Sequence, residues 1–299
     1  MSIRTLAQVI PSVAASDGAG VQLRRSLGSQ PGLRFDPFLM LDEFYSDDPD
    51  DYLAGFPSHP HRGFETVTYM LDGHMRHEDN FGNRGDLKPG DVQWMTAAHG
   101  IIHSEMPQQT AGRMRGFQLW LNLPARDKLK PATYRDVPAR EIPEVALPGG
   151  GRVRVIAGAL QLKDQRTPGA VNAARTTDPQ YYDVQLPAGA VFEATLPATH
   201  NAFLYLYEGD ARVGAAGEEK AAPARGAALL SQGDMLRVVA GAQETRFLLL
   251  AGQPLGEPVA QYGPFVMNTR AELEQAFADY QAGRLALTAE EIAAEKSAA

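Results

Sequence analysis

No cysteine occurs anywhere in the 299-residue chain. That excludes disulfides, iron–sulfur clusters and a thiol nucleophile. Any metal must be held by His, Asp, Glu or backbone oxygen, and a cysteine-free chain fits a cytoplasmic setting. No apolar run approaches membrane-spanning length, so no membrane partner is expected. The N-terminus MSIRTLAQVIPSVAAS carries one Arg and an apolar run interrupted by Gln8 and Pro11, too weak a pattern for a signal peptide. Basic charge is short as well: 28 Lys and Arg face 36 Asp and Glu, a formal net charge of -8. Such a chain repels phosphate backbones and no basic cluster offsets this, so nucleic acid is not an expected direct partner.

What is present is a chain that is 44% hydrophobic, enough for two cores of ordinary size. Most of it reads as short strands between Gly, Pro and Asp turns. Thr66–Leu71 is rich in β-formers and is followed by the turn Asp72-Gly73; Lys88-Pro89-Gly90-Asp91 leads into Val92–Met95; Phe117–Leu123 alternates. Strand patterns resume at 152–156, 181–186, 202–207, 235–239 and 245–250. Pro131, Pro138, Pro143 and Pro148, then three glycines, mark 131–151 as a linker. The expected division is an N-terminal barrel over 1–130, a C-terminal barrel over 152–265 and a helical tail over 266–299. In the tail, Thr269-Arg270-Ala271-Glu272 is a capping-box pattern with Leu273, Ala276, Phe277 and Tyr280 on one face, and Thr288 opens a second short helix.

A weak internal repeat joins the halves. Tyr69–Gly73 resembles Tyr205–Gly209, and Gly90-Asp91 resembles Gly233-Asp234. In that register His59 and His61 fall opposite Thr195 and Pro197, and His103 and Glu105 opposite Arg246 and Leu248. None of the four is a good metal ligand, so the second barrel is expected to lack a metal.

Six of the seven histidines lie between positions 59 and 103. In His59-Pro60-His61, strand alternation puts both imidazoles on one face, and His103-Ser104-Glu105 repeats the spacing with a carboxylate. Two such strands facing each other would gather a ligand set suited to a divalent first-row metal. Glu65, four residues after His61, competes with Glu105 for the carboxylate role, and spacing alone does not separate them. His74 and His77 flank a hairpin turn and read as solvated. His99 reads as an outer-sphere or ordinary loop residue, and His200 as structural.

At this point the chain resembles a known family. HPHRGFETVTYMLDG from His59 looks like the first cupin motif as pirins write it, and GDVQWMTAAHGIIHSEMP from Gly90 is similar to their second. The resemblance continues through FDPFLMLDEF from Phe35, MRGFQLWLNLP from Met114 and QYGPFVMNTRAELEQAFADYQAGR from Gln261, and so spans nearly the whole chain. It implies an all-β bicupin of two face-to-face antiparallel jelly-roll barrels, with one metal in the N-terminal barrel. The ligands it implies here are His59, His61, His103 and Glu105, with Glu65 as a pocket or outer residue. Fe(II) is the first metal it suggests; Cu, Ni, Co and Mn also suit. Where pirins commonly carry Arg-Gly, this chain has His99-Gly100, which removes a basic side chain from that position.

The resemblance implies two functions. One is a monomeric enzyme that opens the heterocycle of quercetin-type flavonols with O2 and releases CO, with Glu105 as general base. The other is a metal-binding or redox-sensing regulator that acts through a protein partner. A sugar-phosphate isomerase, an activity of other cupins, fits poorly because no basic phosphate cluster lies beside the motifs.

Overall fold

Strands form where β-branched and aromatic residues alternate with polar ones. The structure, a computed structural model, describes residues 2–163, 165–172 and 175–298. Packing divides it into two units: 14–25, 38–139 and 255–299 form one, and 1–13, 26–37 and 140–254 the other.

The N-terminal unit holds a seven-stranded sheet in the order β12 (Thr133–Val137), β9 (Val92–Thr96), β6 (Phe64–Asp72), β11 (Met114–Asn122), β4 (Phe38–Ser46), β3 (Val21–Arg25), β2 (Val13–Asp17). Its second sheet has four strands in the order β5 (Phe56–His61), β10 (Ile101–Pro107), β7 (Met75–Asp79), β8 (Arg84–Leu87). The C-terminal unit repeats the plan. Its large sheet runs β1 (Leu6–Pro11), β22 (Gly226–Leu230), β19 (Asn201–Glu208), β24 (Thr245–Gly252), β17 (Gln180–Leu186), β14 (Arg152–Ala157), β13 (Glu144–Ala146). Its small sheet runs β16 (Gln165–Pro168), β15 (Ala159–Leu162), β18 (Val191–Thr195), β23 (Met235–Ala240), β20 (Ala211–Val213), β21 (Lys220–Ala222). A hairpin of β25 (Ala260–Tyr262) and β26 (Phe265–Met267) precedes the helices α1 (Arg270–Gln281) and α2 (Ala289–Ala298).

The order β9-β6-β11-β4 in one unit matches β22-β19-β24-β17 in the other, and β5-β10-β7-β8 matches β18-β23-β20-β21. The chain is a bicupin built by duplication. This topology keeps the Tyr69–Gly73 and Tyr205–Gly209 match, since β6 and β19 are counterparts. It corrects the second match: Gly90-Asp91 precedes β9, but Gly233-Asp234 precedes β23, the counterpart of β10. His103 and Glu105 therefore do not lie opposite Arg246 and Leu248. Cross-strand pairing locates the true counterparts. His103 pairs with His59, whereas Leu236 pairs with Ala194 and Val238 with Phe192. All four of these C-terminal residues are buried in one apolar core with Leu204, Phe247 and Leu249. Thr195 and Pro197 are exposed, one residue out of phase, because a one-residue shift along a strand exchanges its faces.

Packing also groups the chain differently from its linear order. β1 pairs with β22, from Leu6↔Leu230 to Pro11↔Gly226, so the N-terminal strand sits on the C-terminal unit's sheet. Residues 255–299 group with the N-terminal unit. The Pro-rich stretch 131–151 contains β12 and β13, and the chain passes between units at Ala139/Arg140. β1 joins by pairing at the β22 edge of the sheet, not by its position along the chain.

Thr269 caps α1 through its side chain, and Glu272 completes the capping box. Ala276, Leu273 and Phe277 pack with Phe265 and Leu285, as the apolar face predicts. No helix among the described residues is long and apolar enough to cross a membrane.

Candidate metal centre

His59 and His61 end β5, and His103 lies beside them on β10 in the register His103↔His59 and Ile101↔His61. The ligand nitrogens of the three lie within 4.8 Å of one another. His59 Nε2 and His61 Nε2 are 3.0 Å apart. Two nitrogens bound about 2.1 Å from one ion at right angles stand about 3.0 Å apart. The protonation pattern agrees. His59 Nδ1 lies 2.8 Å from the Pro57 carbonyl, which only accepts, so Nδ1 carries a proton and Nε2 is the nitrogen turned to the cluster. His103 Nε2 is buried and has no hydrogen-bond partner among the described residues. A buried lone pair without a donor is costly, and a cation would satisfy it.

Burial pushes the His61 and His103 imidazoles well below the usual histidine range, and neighbouring imidazoles add to the effect. Both are therefore neutral, which is the ligating form. Three converging imidazoles fit a divalent first-row ion. The Phe64 and Trp120 rings, 5.1 and 5.3 Å from the His61 ring, form one side of the site.

The two candidate carboxylates have different surroundings. Glu105, buried on β10, accepts a 3.0 Å bond from Thr68 Oγ1. The Thr68 hydroxyl also lies 2.5 Å from the Gln118 carboxamide. Glu65 is buried on β6 and accepts from Thr96 Oγ1 at 2.6 Å. Neither carboxylate belongs to the cluster drawn within 4.8 Å, which consists of the three histidines.

The remaining histidines separate. His74 bonds Asp86 at 3.0 Å and is partly exposed. His200 contacts Asp178 at 3.3 Å in the C-terminal unit. His77 corrects the sequence reading: it is fully buried, not solvated, and its Nδ1 lies 3.2 Å from His103 Nδ1. The turn at Asp72-Gly73 does not join paired strands but carries the chain from the large sheet to the small one, which turns His77 inward. His77-Glu78-Asp79 has the same alternating spacing as the two recognised pairs, and that was the available signal.

His99 is an anchor for the tail. Its Nδ1 donates to the Leu285 carbonyl at 3.0 Å. Arg62, next to His61 and 2% exposed, bonds the carbonyls of His99 and Leu285 and pairs with Asp279 at 2.6 Å. Lys128 Nζ bonds Gly63 O and Val266 O at 2.7 and 2.9 Å. The loop that follows His61 and the turn before His103 are thus both tied to 264–285. Gly63, at φ +90°, sits so close to the Val266 carbonyl that a Cβ there would collide with backbone. Gly63→Ala should destabilise the protein by more than about 1 kcal/mol, read as a lowered denaturant midpoint; an unchanged midpoint would contradict this contact.

Comparison with known proteins agrees with the fold. Residues 20–121 match the pirin family and residues 181–286 the pirin C-terminal cupin domain. A pirin-like protein of Caulobacter vibrioides is 50% identical over 95% of this chain and 100% of its own. A Pseudomonas aeruginosa protein provisionally named a quercetin 2,3-dioxygenase is 58% identical over 91% of this chain and 95% of its own. The crystal structure of a quercetin 2,3-dioxygenase from Acinetobacter baumannii superposes with a TM-score of 0.83 at 33% identity, covering 95% of this chain and 99% of that one. With both cupin domains matched and half-identical relatives covered end to end, this chain belongs to the pirin family.

Proposed function

We propose that this pirin is a metal-dependent dioxygenase that opens the heterocycle of quercetin-type flavonols with O2 and releases CO. The observation that carries the reading is the convergence of three imidazoles, those of His61 and His103 buried and neutral and that of His59 half-buried, beside an apolar cluster. The names of the Pseudomonas and Acinetobacter relatives support it. In this reading His59, His61, His103 and Glu105 hold one divalent ion, Fe(II) first among Fe, Cu, Ni, Co and Mn. When bound, the ion supplies a Lewis-acidic, redox-active centre with positions left open for substrate oxygen and dioxygen.

The chain's own residues do the rest. Thr68 bonds Glu105 Oε1, so Oε2 is the oxygen that would ligate, and Glu105 would take the flavonol 3-hydroxyl proton only when its carboxylate loosens from the ion. Trp120, the partly exposed member of an apolar cluster with the buried Phe64, Leu39 and Val266, offers the ring against which a planar polycycle would rest. Charge sets the preference. Three neutral imidazoles and one carboxylate around a divalent ion leave a formal charge of about +1. A flavonol that has lost one proton neutralises it, whereas a dianionic sugar phosphate overshoots.

Metal-replete protein given quercetin should consume oxygen and evolve carbon monoxide, measured with an oxygen electrode and by trapping the gas. Metal-free or anaerobic samples should do neither. If no oxygen is taken up with any of the five metals, the dioxygenase reading falls, and a metal-binding protein that acts through a protein partner is left.

A further inference from the structure

A third alternating pair lies on the strand next to the proposed ligands. β7 pairs with β10 in the register His103↔Asp79 and Glu105↔His77, so the His77 and Asp79 side chains share the inward face with His103 and Glu105. Both are completely buried. His77 Nδ1 and His103 Nδ1 are 3.2 Å apart. Between two such nitrogens one carries a proton and the other accepts it. His103 Nε2 is the buried atom with no hydrogen-bond partner among the described residues, on the ring that joins the His59 and His61 cluster, so it must keep its lone pair if it ligates. The proton then sits on His103 Nδ1 and is donated to His77 Nδ1. That choice forces the other His77 nitrogen, Nε2, to carry a proton; it makes no hydrogen bond among the described residues and faces Asp79 Oδ2 at 3.7 Å, an electrostatic contact rather than a hydrogen bond.

Asp79 is a prepared anion. Its Oδ1 accepts the backbone N–H groups of Phe81 and Asn83 at 2.9 and 3.0 Å, and its Oδ2 accepts from Asn83 Nδ2 at 2.8 Å. The His77 ring is held in plane by Tyr134, stacked at 4.8 Å and 27°. Tyr134 is fixed in turn by Asp136 and Gln93 at 2.5 and 3.1 Å.

We propose that His77 and Asp79 are positioning residues that fix the tautomer of His103 and raise its basicity toward the metal, in a carboxylate–imidazole–imidazole chain that ends on the ion. This rests on His103 being a ligand. An outer partner of a ligating histidine commonly changes metal affinity about 10–100-fold.

The test is Ni(II) affinity of the full chain, measured by competition with a chromophoric chelator, for His77→Phe, His77→Gln and Asp79→Asn. His77→Phe should weaken binding about 10–100-fold. His77→Gln, whose carboxamide oxygen can accept from His103 Nδ1, should recover most of the loss. Asp79→Asn should weaken binding less than His77→Phe, and the double variant His77→Phe/Asp79→Asn should be no weaker than His77→Phe alone, because Asp79 acts through His77. Imidazole 15N spectra of the metal-free parent should show His103 protonated at Nδ1. A purely structural role would lower the melting temperature of these variants without this affinity order. His103→Ala separates the two readings. If it binds Ni(II) like the parent, the ligand assignment is wrong. If it loses the metal while His77→Phe binds within about twofold of the parent, the ligand set stands and the positioning chain is refuted.

Discussion

His61→Ala is expected to bind metal more than about 100-fold more weakly than the parent, beyond the upper end for loss of an outer partner. The reason is geometric. His61 Nε2 is one half of the 3.0 Å pair with His59, and its ring is held against Phe64 and Trp120 in a buried position that no other side chain in the cluster can fill. Glu105→Ala should also lower affinity, by removing the anion that offsets the ion's charge. Metal analysis of the purified proteins checks both. Full occupancy in His61→Ala and in Glu105→Ala would falsify the ligand set. The stoichiometry is a second check, and one ion per chain is expected. In the C-terminal unit the counterparts of the ligand strands present Ala194, Leu236 and Val238 to a closed apolar core, which offers a cation nothing. His200→Ala should leave the stoichiometry at one. A value near two that this substitution halves would overturn the assignment of the second cupin.

The largest stability loss away from the ligands should come from the Arg62–Asp279 pair. Arg62 is 2% exposed and joins three acceptors: Asp279, and the carbonyls of His99 and Leu285. Asp279→Ala removes the carboxylate that neutralises a buried guanidinium, and breaking a buried pair on one side costs about 3–5 kcal/mol. Burial alone would raise the Asp279 carboxyl, but the bonds from Arg62 and Gln275 more than offset it and hold the group below the usual carboxylate range. A carboxyl with a depressed folded pKa contributes stability that is present at neutral pH and lost as the pH falls through that depressed value. Asp279→Asn should therefore flatten the acid limb of the stability profile as well as lower the plateau. Guanidinium unfolding across pH reads both. A loss below about 1 kcal/mol, the level of an exposed pair, would show that the tail is not clamped through this contact.

What the chain's own text determined is whatever depends on neighbours one to four residues apart. Strand alternation placed His59 with His61 and His103 with Glu105 on common faces, and the first two of these meet the third in space. Turn chemistry placed β6, β9 and β11, and the Thr269–Glu272 capping box marked the start of α1. The family motifs extended this to a bicupin, because long motifs encode a whole topology.

What needed the tertiary structure is whatever depends on which strand lies beside which. His77 looked like a turn residue until β7 was seen to pair with β10. Glu65 and Glu105 differ in their surroundings only because β6 pairs with β9 and puts Thr96 beside Glu65, while Thr68 reaches Glu105 from another sheet. The second half of the internal repeat was misaligned because Gly-Asp turns precede many strands, and only sheet order tells β9 from β10. The tail's attachment through Arg62 to Asp279 and Leu285 spans more than two hundred residues, and no periodicity reaches that far. Backbone alternation is set by local sterics, so it can be read from sequence. Cross-strand partners are set by burial of whole faces and pairing of sheet edges, which a linear pattern does not specify.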